Sequence, residues 1–130
     1  MNNEELVKAA LQARTRAYAP YSGFRVGVAL LTAGGRVFTG CNVENASYGL
    51  TMCAERVAVG KAVSDGEREF VAIAVAGNGQ EKCLPCGACR QVLAEFAPDL
   101  AVIAANEYGG YTVKRLSELL PQSFCLPSGK

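Results

Sequence analysis

A chain of 130 residues with a formal net charge of +1 is long enough to bury one core. Its charges are too evenly mixed for the one-sided basic face that tracks a phosphate backbone, so a small ligand is favoured over nucleic acid. Half of the residues are hydrophobic and there is no histidine, which argues against disorder and rules out any Ser–His or Cys–His hydrolase. Acid–base work near neutral pH then falls to Glu, Asp, Tyr, Lys or Cys. Met1 to Glu5 lacks the basic and apolar regions of a secretory signal. Apolar stretches such as Val71 to Ala76 are too short to span a bilayer. One domain over residues 1–130, cytoplasmic and with no membrane partner, is the expectation. There the six cysteines serve a metal or catalysis rather than disulfides.

In chain order, residues 3–18 read as a helix with Leu6, Val7, Ala10, Leu11 and Ala17 on its apolar face, ended by Pro20. Tyr21-Ser22-Gly23 is a turn. Phe24 to Thr32 and Arg36 to about Val43 form a hairpin about Ala33-Gly34-Gly35, and Gly27 marks the close approach of another element. A polar loop from Asn42 to Leu50 leads to a second helix, Cys53 to Val63, and a Ser64-Asp65-Gly66 turn. Phe70 to Ala76 is a continuous apolar run, as in a buried parallel strand. After the loop Gly77 to Leu84 comes a third helix, Cys86 to Phe96, with Pro85 suited to its first turn. Leu100 to Ala105 is another buried strand, Tyr111 to Val113 a short fifth one, and Arg115 to Leu120 a last helix stopped by Pro121. Strands joined by helices predict parallel pairing with right-handed crossovers. The fold class is therefore α/β: a three-layer α-β-α sandwich around one mixed five-stranded sheet.

Two segments carry chemistry: Thr51-Met52-Cys53-Ala54-Glu55-Arg56 and Pro85-Cys86-Gly87-Ala88-Cys89-Arg90. Cys86 and Cys89, three apart, share one helix face. Cys53 opens the other helix, and helix N-termini favour thiolates. Three protein ligands leave a tetrahedral zinc one open position, the mark of a catalytic rather than a structural site. A structural zinc with Cys83 or Cys41 as fourth ligand, or a redox dithiol, remains open on spacing alone. Pro85 sets Cys83 before the helix and points it away from the Cys86–Cys89 face. Cys41 and Cys125 read as packed or surface thiols. Three thiolates on a divalent ion leave a formal charge of −1, which opposes ionising a bound water. Arg56 or Arg90 could offset it, with Arg56 preferred. Glu55 can share a water with Cys53 only if Cys53 sits at the helix start, and would then move protons.

These segments resemble the small zinc-dependent cytidine deaminases. Cys53-Ala54-Glu55 and Pro85-Cys86-Gly87-Ala88-Cys89 carry the resemblance, which extends from Tyr18-Ala19-Pro20-Tyr21-Ser22 to Leu119-Leu120-Pro121-Gln122-Ser123-Phe124. It is most specific at Phe24-Arg25-Val26-Gly27, Asn42-Val43-Glu44-Asn45 and Cys86-Gly87-Ala88-Cys89-Arg90-Gln91-Val92-Leu93. The resemblance implies hydrolytic deamination of cytidine and 2′-deoxycytidine, with one zinc per subunit on Cys53, Cys86 and Cys89. Zinc-bound hydroxide would attack C4 while Glu55 shuttles protons. Asn42 and Glu44 would hold the ribose 3′-hydroxyl, Phe24 would pack on the pyrimidine, and Ala54 would offer backbone groups to the base edge. Tyr48 would touch sugar or a neighbouring subunit. A homotetramer is implied too, with the tail Phe124-Cys125-Leu126 as one candidate contribution to a neighbour's site. A blasticidin S-type aminonucleoside deaminase and a non-catalytic zinc-binding assembly module stand as alternatives. Phe24 and the Asn42-Val43-Glu44-Asn45 segment favour the pyrimidine nucleoside.

Overall fold

The computed structural model describes residues 1–127. Among these, helices α1 (Asn3–Arg14), α2 (Ala54–Ser64), α3 (Gly87–Phe96) and α4 (Leu116–Leu119) surround strands β1 (Gly27–Thr32), β2 (Val37–Cys41), β3 (Phe70–Ala76), β4 (Ala101–Ala105) and β5 (Tyr111–Arg115). The strands form one mixed sheet in the order β2-β1-β3-β4-β5. The three-layer expectation holds. α1 covers one face, where Leu6, Val7 and Ala10 pack on Ala29, Ala72, Ala74, Ala76, Ile103 and Ala105. α2, α3 and α4 cover the other, packing Ala54, Ala58, Leu93, Ala94 and Leu116 on Val28, Leu30, Ile73, Val75 and Val102. The two faces follow the strand period of two: Val28 and Leu30 point one way, Ala29 the other. A face built largely of alanine lets α1 lie close.

β3 is less parallel than its apolar run suggested. It pairs antiparallel with β1 and parallel only with β4, because β1 returns from its hairpin to lie between β2 and β3. β2, β3 and β4 consequently run in the same direction. Cys41, Gly27, Ala76 and Ala105 stand in register across one edge of the sheet. Ligand crevices in open α/β sheets form beyond such carboxyl ends, and the candidate site lies there.

Boundaries moved for tertiary reasons. α1 stops at Arg14 rather than residue 18, because the Tyr18 backbone is engaged elsewhere: its N–H donates to the Asn42 carbonyl at 3.0 Å and its carbonyl accepts from the Glu44 N–H at 2.9 Å. β1 begins at Gly27, not Phe24, since Asn42 replaces ladder pairing with its side chain. Asn42 Oδ1 accepts the Val26 N–H at 2.8 Å, and Nδ2 donates to the Phe24 carbonyl at 2.9 Å. Pro85 precedes the N-cap Cys86 instead of sitting in the first turn; Cys86 takes the extended backbone (φ −67°, ψ 169°) that an N-cap requires. β5 runs longer than expected and α4 is shorter.

Two glycines set how closely helices approach. A Cβ on Gly27 would meet the Ala10 carbonyl oxygen at 2.0 Å and the Arg14 nitrogen at 2.3 Å, the approach expected from the sequence. On Gly40 it would meet the Ala54 carbonyl oxygen at 2.4 Å and the Ala58 nitrogen at 2.8 Å. Gly40 therefore seats the first turn of α2 on β2.

Candidate active site

Cys53 is the N-cap of α2 and Cys86 the N-cap of α3, with Cys89 in the first turn of α3. Two helices thus begin at one point, where their unpaired N–H groups favour negative charge. The three sulfurs lie within 4.8 Å of one another, and Cys86 and Cys89 are 3.4 Å apart. A tetrahedral ion with Zn–S bonds of about 2.3 Å separates its sulfurs by about 3.8 Å, so the trio fits zinc. Among the described residues it is the one His/Cys/Asp/Glu group so arranged. Cys83 lies outside it, as expected of a non-ligand.

The electrostatics also call for a cation. Burial works against ionising Cys86, but the Cys89 N–H and the neighbouring Cys89 and Cys53 sulfurs outweigh it and hold that thiol below its usual value. Cys89 goes the other way, contrary to the simple helix-terminus expectation. Burial raises it most, with Glu55, Cys86 and Cys53 adding to the effect. Adjacent thiolates repel, so the three can ionise together only around a metal.

Arg56 meets this negative charge. Its Nη2 reaches Cys53 Sγ at 3.7 Å and the Thr51 carbonyl at 3.3 Å, and the hydrogen bond to Cys53 is the main force raising its pKa. Its Nε is buried with no hydrogen-bond partner among the described residues. Arg90 serves differently: Nε donates to the Pro85 carbonyl and Nη1 to that of Leu119, at 2.8 and 2.9 Å. It ties the start of α3 to the end of α4.

Beside the sulfurs lies a cavity of about 190 Å³, lined by Phe24, Val26, Asn42, Thr51, Cys53, Ala54, Glu55, Cys83, Leu84 and Cys86. Glu55, one turn position beyond Ala54, is only 5 % exposed. Burial raises its carboxyl pKa, while its own backbone N–H and Arg56 pull it down. Cys53 has the extended backbone of a helix start (φ −70°, ψ 149°), which allows residues 53 and 55 to serve one cavity. Phe24 is not core; 44 % of it is exposed. Asn42 is buried at 8 %, with its amide bound to the Phe24 carbonyl and the Val26 N–H as described above.

Glu44 lines a second cavity of about 360 Å³ with Tyr21, Ser22, Asn45, Tyr48 and Thr51. Thr51 borders both spaces. Ser22 is the largest influence holding Glu44 below the usual carboxylate range; burial opposes it, and the Ser22 and Tyr21 N–H groups assist. Tyr48 is 77 % exposed and meets Tyr21 edge-on, ring centroids 6.3 Å apart. Every candidate residue except Glu44 and Tyr48 thus borders the sulfur-side cavity or contacts its sulfurs.

Sequence reasoning missed Cys83 and Ser22. Cys83 stands outside the group of three sulfurs, as its place before Pro85 predicts, yet it also forms a wall of the Glu55 cavity. Burial, then the nearby Glu55 charge, push its thiol up to about 11. Its N–H bonds the Ala105 carbonyl at 3.0 Å; position after β3, at the carboxyl edge, was the available signal. Ser22 carried no signal beyond lying in a turn.

Residues 1–105 match the family described as the cytidine and deoxycytidylate deaminase zinc-binding region. The chain is 53 % identical over 125 residues to a cytidine deaminase of Halalkalibacterium halodurans, covering 95 % of each. A crystal structure of cytidine deaminase from Burkholderia pseudomallei superposes with a TM-score of 0.92 at 52 % identity, covering 95 % of this chain and 100 % of that one. A blasticidin-S deaminase of Bacillus cereus is more distant, 31 % identical over 129 residues, covering 92 % of this chain and 90 % of that protein.

Proposed function

The chain belongs to the cytidine and deoxycytidylate deaminase family, and from its site we propose that residues 1–130 act as one domain converting cytidine and 2′-deoxycytidine, with water, to the uridine counterparts and ammonia. The observation that carries this reading is the buried Glu55 carboxyl in the cavity that Cys53, Cys86 and Phe24 also line. Cys53, Cys86 and Cys89 would hold a zinc ion, which would supply Lewis acidity to lower the pKa of a water.

Glu55 takes the first proton from the water whose oxygen adds to C4, and passes it to N3. It then carries the remaining hydroxyl proton to the exocyclic amine, the C4–N bond breaks, and ammonia leaves as the C4 carbonyl forms. A carboxyl raised by burial suits both halves of this shuttle. Phe24 packs against the base, and backbone groups at Ala54 meet its edge. Arg56 offsets the thiolate charge that would otherwise hinder water ionisation.

Two adjoining spaces support a nucleoside: the smaller for the ring, the larger for the sugar. Glu44 accepts the 3′-hydroxyl, and Asn42 keeps one N–H and one lone pair for it beyond its bonds to Phe24 and Val26. Tyr48 flanks the sugar space. None of the described residues lining that space is cationic, which disfavours a 5′-phosphate. We also propose self-association as a homotetramer. Exposed Tyr21 and Tyr48 of the larger cavity, with exposed Tyr18, Leu50, Met52, Phe124 and Leu126, supply apolar surface for it; light scattering tests it. No helix among the described residues is long and apolar enough to cross a membrane. The free cysteines suit a reducing, cytoplasmic setting.

The deciding experiment follows the ultraviolet change of cytidine, deoxycytidine and blasticidin S with zinc-loaded protein. Turnover of the two pyrimidine nucleosides is expected. Bound zinc with no turnover of either would overturn the reading, in favour of an aminonucleoside deaminase if blasticidin S is converted and of a non-catalytic zinc module if it is not.

A further inference from the structure

The Glu44 carboxylate is already engaged on one side. Its Oε1 accepts the Tyr21 N–H at 2.9 Å and the Ser22 N–H at 3.1 Å, and its Oε2 accepts the Ser22 hydroxyl. Ser22 Oγ also accepts the Phe24 N–H at 3.0 Å. A serine hydroxyl has one proton and an ionised carboxylate only accepts. The direction of this chain is therefore fixed: Phe24 N–H to Ser22, Ser22 O–H to Glu44. On its other flank the Phe24 carbonyl accepts from Asn42 Nδ2. Phe24 borders the ring-sized cavity and Glu44 the sugar-sized one, so Ser22 is the hydrogen-bonded link between the two spaces.

The two backbone N–H bonds locate Oε1 alone. They leave the carboxylate free to pivot about that oxygen, and the Ser22 hydroxyl removes this freedom by fixing Oε2. We propose that Ser22 is a positioning residue that locks the sugar-holding carboxylate of Glu44 to the base-holding ring of Phe24, so that recognition of the 3′-hydroxyl depends on Ser22. This rests on the reading of Glu44 as the partner of that hydroxyl. Ser22 touches neither the sulfurs nor Glu55, and its contribution therefore falls on KM for hydroxyl-bearing substrates while kcat is kept.

The test compares kcat/KM for cytidine and 3′-deoxycytidine in zinc-loaded wild type, Ser22→Ala, Ser22→Thr and Glu44→Gln. The ratio is taken on one preparation, so partial unfolding or partial zinc loading cancels from it. Wild type is expected to favour cytidine by about 10- to 100-fold, the range for a hydrogen bond to a charged group. Ser22→Ala should lose most of that ratio through a raised KM for cytidine. Ser22→Thr, which keeps a hydroxyl, should retain it, and Glu44→Gln should lose it. If Glu44→Gln loses the ratio while Ser22→Ala keeps it, or Ser22→Thr loses as much as Ser22→Ala, the proposal fails and the reading of Glu44 stands. A wild-type ratio near one overturns the reading of Glu44, and the proposal with it.

Discussion

Gly40→Ala should damage the metal centre from outside it. The added Cβ would lie 2.4 Å from the Ala54 carbonyl oxygen, 2.8 Å from the Ala58 nitrogen and 3.2 Å from Ala58 Cβ. Ordinary carbon–oxygen contact is about 3.3 Å, so α2 must retreat by roughly 0.9 Å, and because the obstacles are backbone no rotamer change relieves them. The retreating turn carries the N-cap Cys53 and Glu55. Overpacking of this kind costs about 1–3 kcal/mol, or a fall in Tm of roughly 4–12 °C at this chain length. A misplacement near 1 Å at a catalytic constellation costs on the order of 100-fold in rate. The assays are zinc content by chelator-dye release, Tm, and kcat/KM for cytidine. Gly60→Ala is the control: on the outer side of the same helix, an added Cβ there meets nothing within 4 Å, and it should stabilise by about 0.5–1 kcal/mol through helix propensity. Gly40→Ala with wild-type zinc content, Tm and turnover would refute the view that close seating on β2 places the first thiol.

Three further outcomes are expected. Glu55→Gln keeps the shape and the zinc but removes the proton carrier, and kcat should fall at least 10²-fold; zinc analysis beside turnover checks this, and near-normal kcat would remove Glu55 from the mechanism. Arg56→Gln should weaken zinc retention in a chelator titration and lower kcat, whereas Arg90→Gln should lower Tm by the loss of two hydrogen bonds, each worth about 1 kcal/mol, and leave the per-zinc rate near wild type. Glu44, held below the usual carboxylate range chiefly by Ser22, contributes its stability at pH values above the unfolded carboxyl value of about 4.3 and loses it as pH falls through the lower folded value. The Tm difference between wild type and Glu44→Gln should thus be constant near neutral pH and shrink on acidification below about pH 4; a difference that grows there would contradict the assigned direction.

The metal trio was legible because its signal is local: an i, i+3 cysteine pair opening one helix and a cysteine opening another, in a chain with no histidine to offer. The sheet was legible as five strands, two of them buried apolar runs, and its strand order was less so. β3 looked parallel because both its faces are buried, and burial does not reveal which neighbour lies on each side. Boundaries failed where a side chain replaced a backbone partner, as Asn42 does for Phe24 and Val26.

That replacement ties recognition to folding. An uninterrupted β1–β2 ladder through Phe24 would alternate successive side chains between the two covered faces of the sheet. Ending the ladder at Gly27 and holding Phe24 by its N–H and carbonyl leaves its ring at the cavity, 44 % exposed. Asn42 and Glu44, two apart in the segment after β2, both bond the loop before β1 directly, and Glu44 reaches Phe24 through Ser22. Neither needs a substrate to be ordered. The groups proposed to hold the sugar are consequently fixed by the very turn that presents the ring. A residue type chosen to contact a hydroxyl and one chosen to cap a loop are the same polar side chains, and for that reason sequence alone could name Asn42 and Glu44 but not the work they do in the free protein.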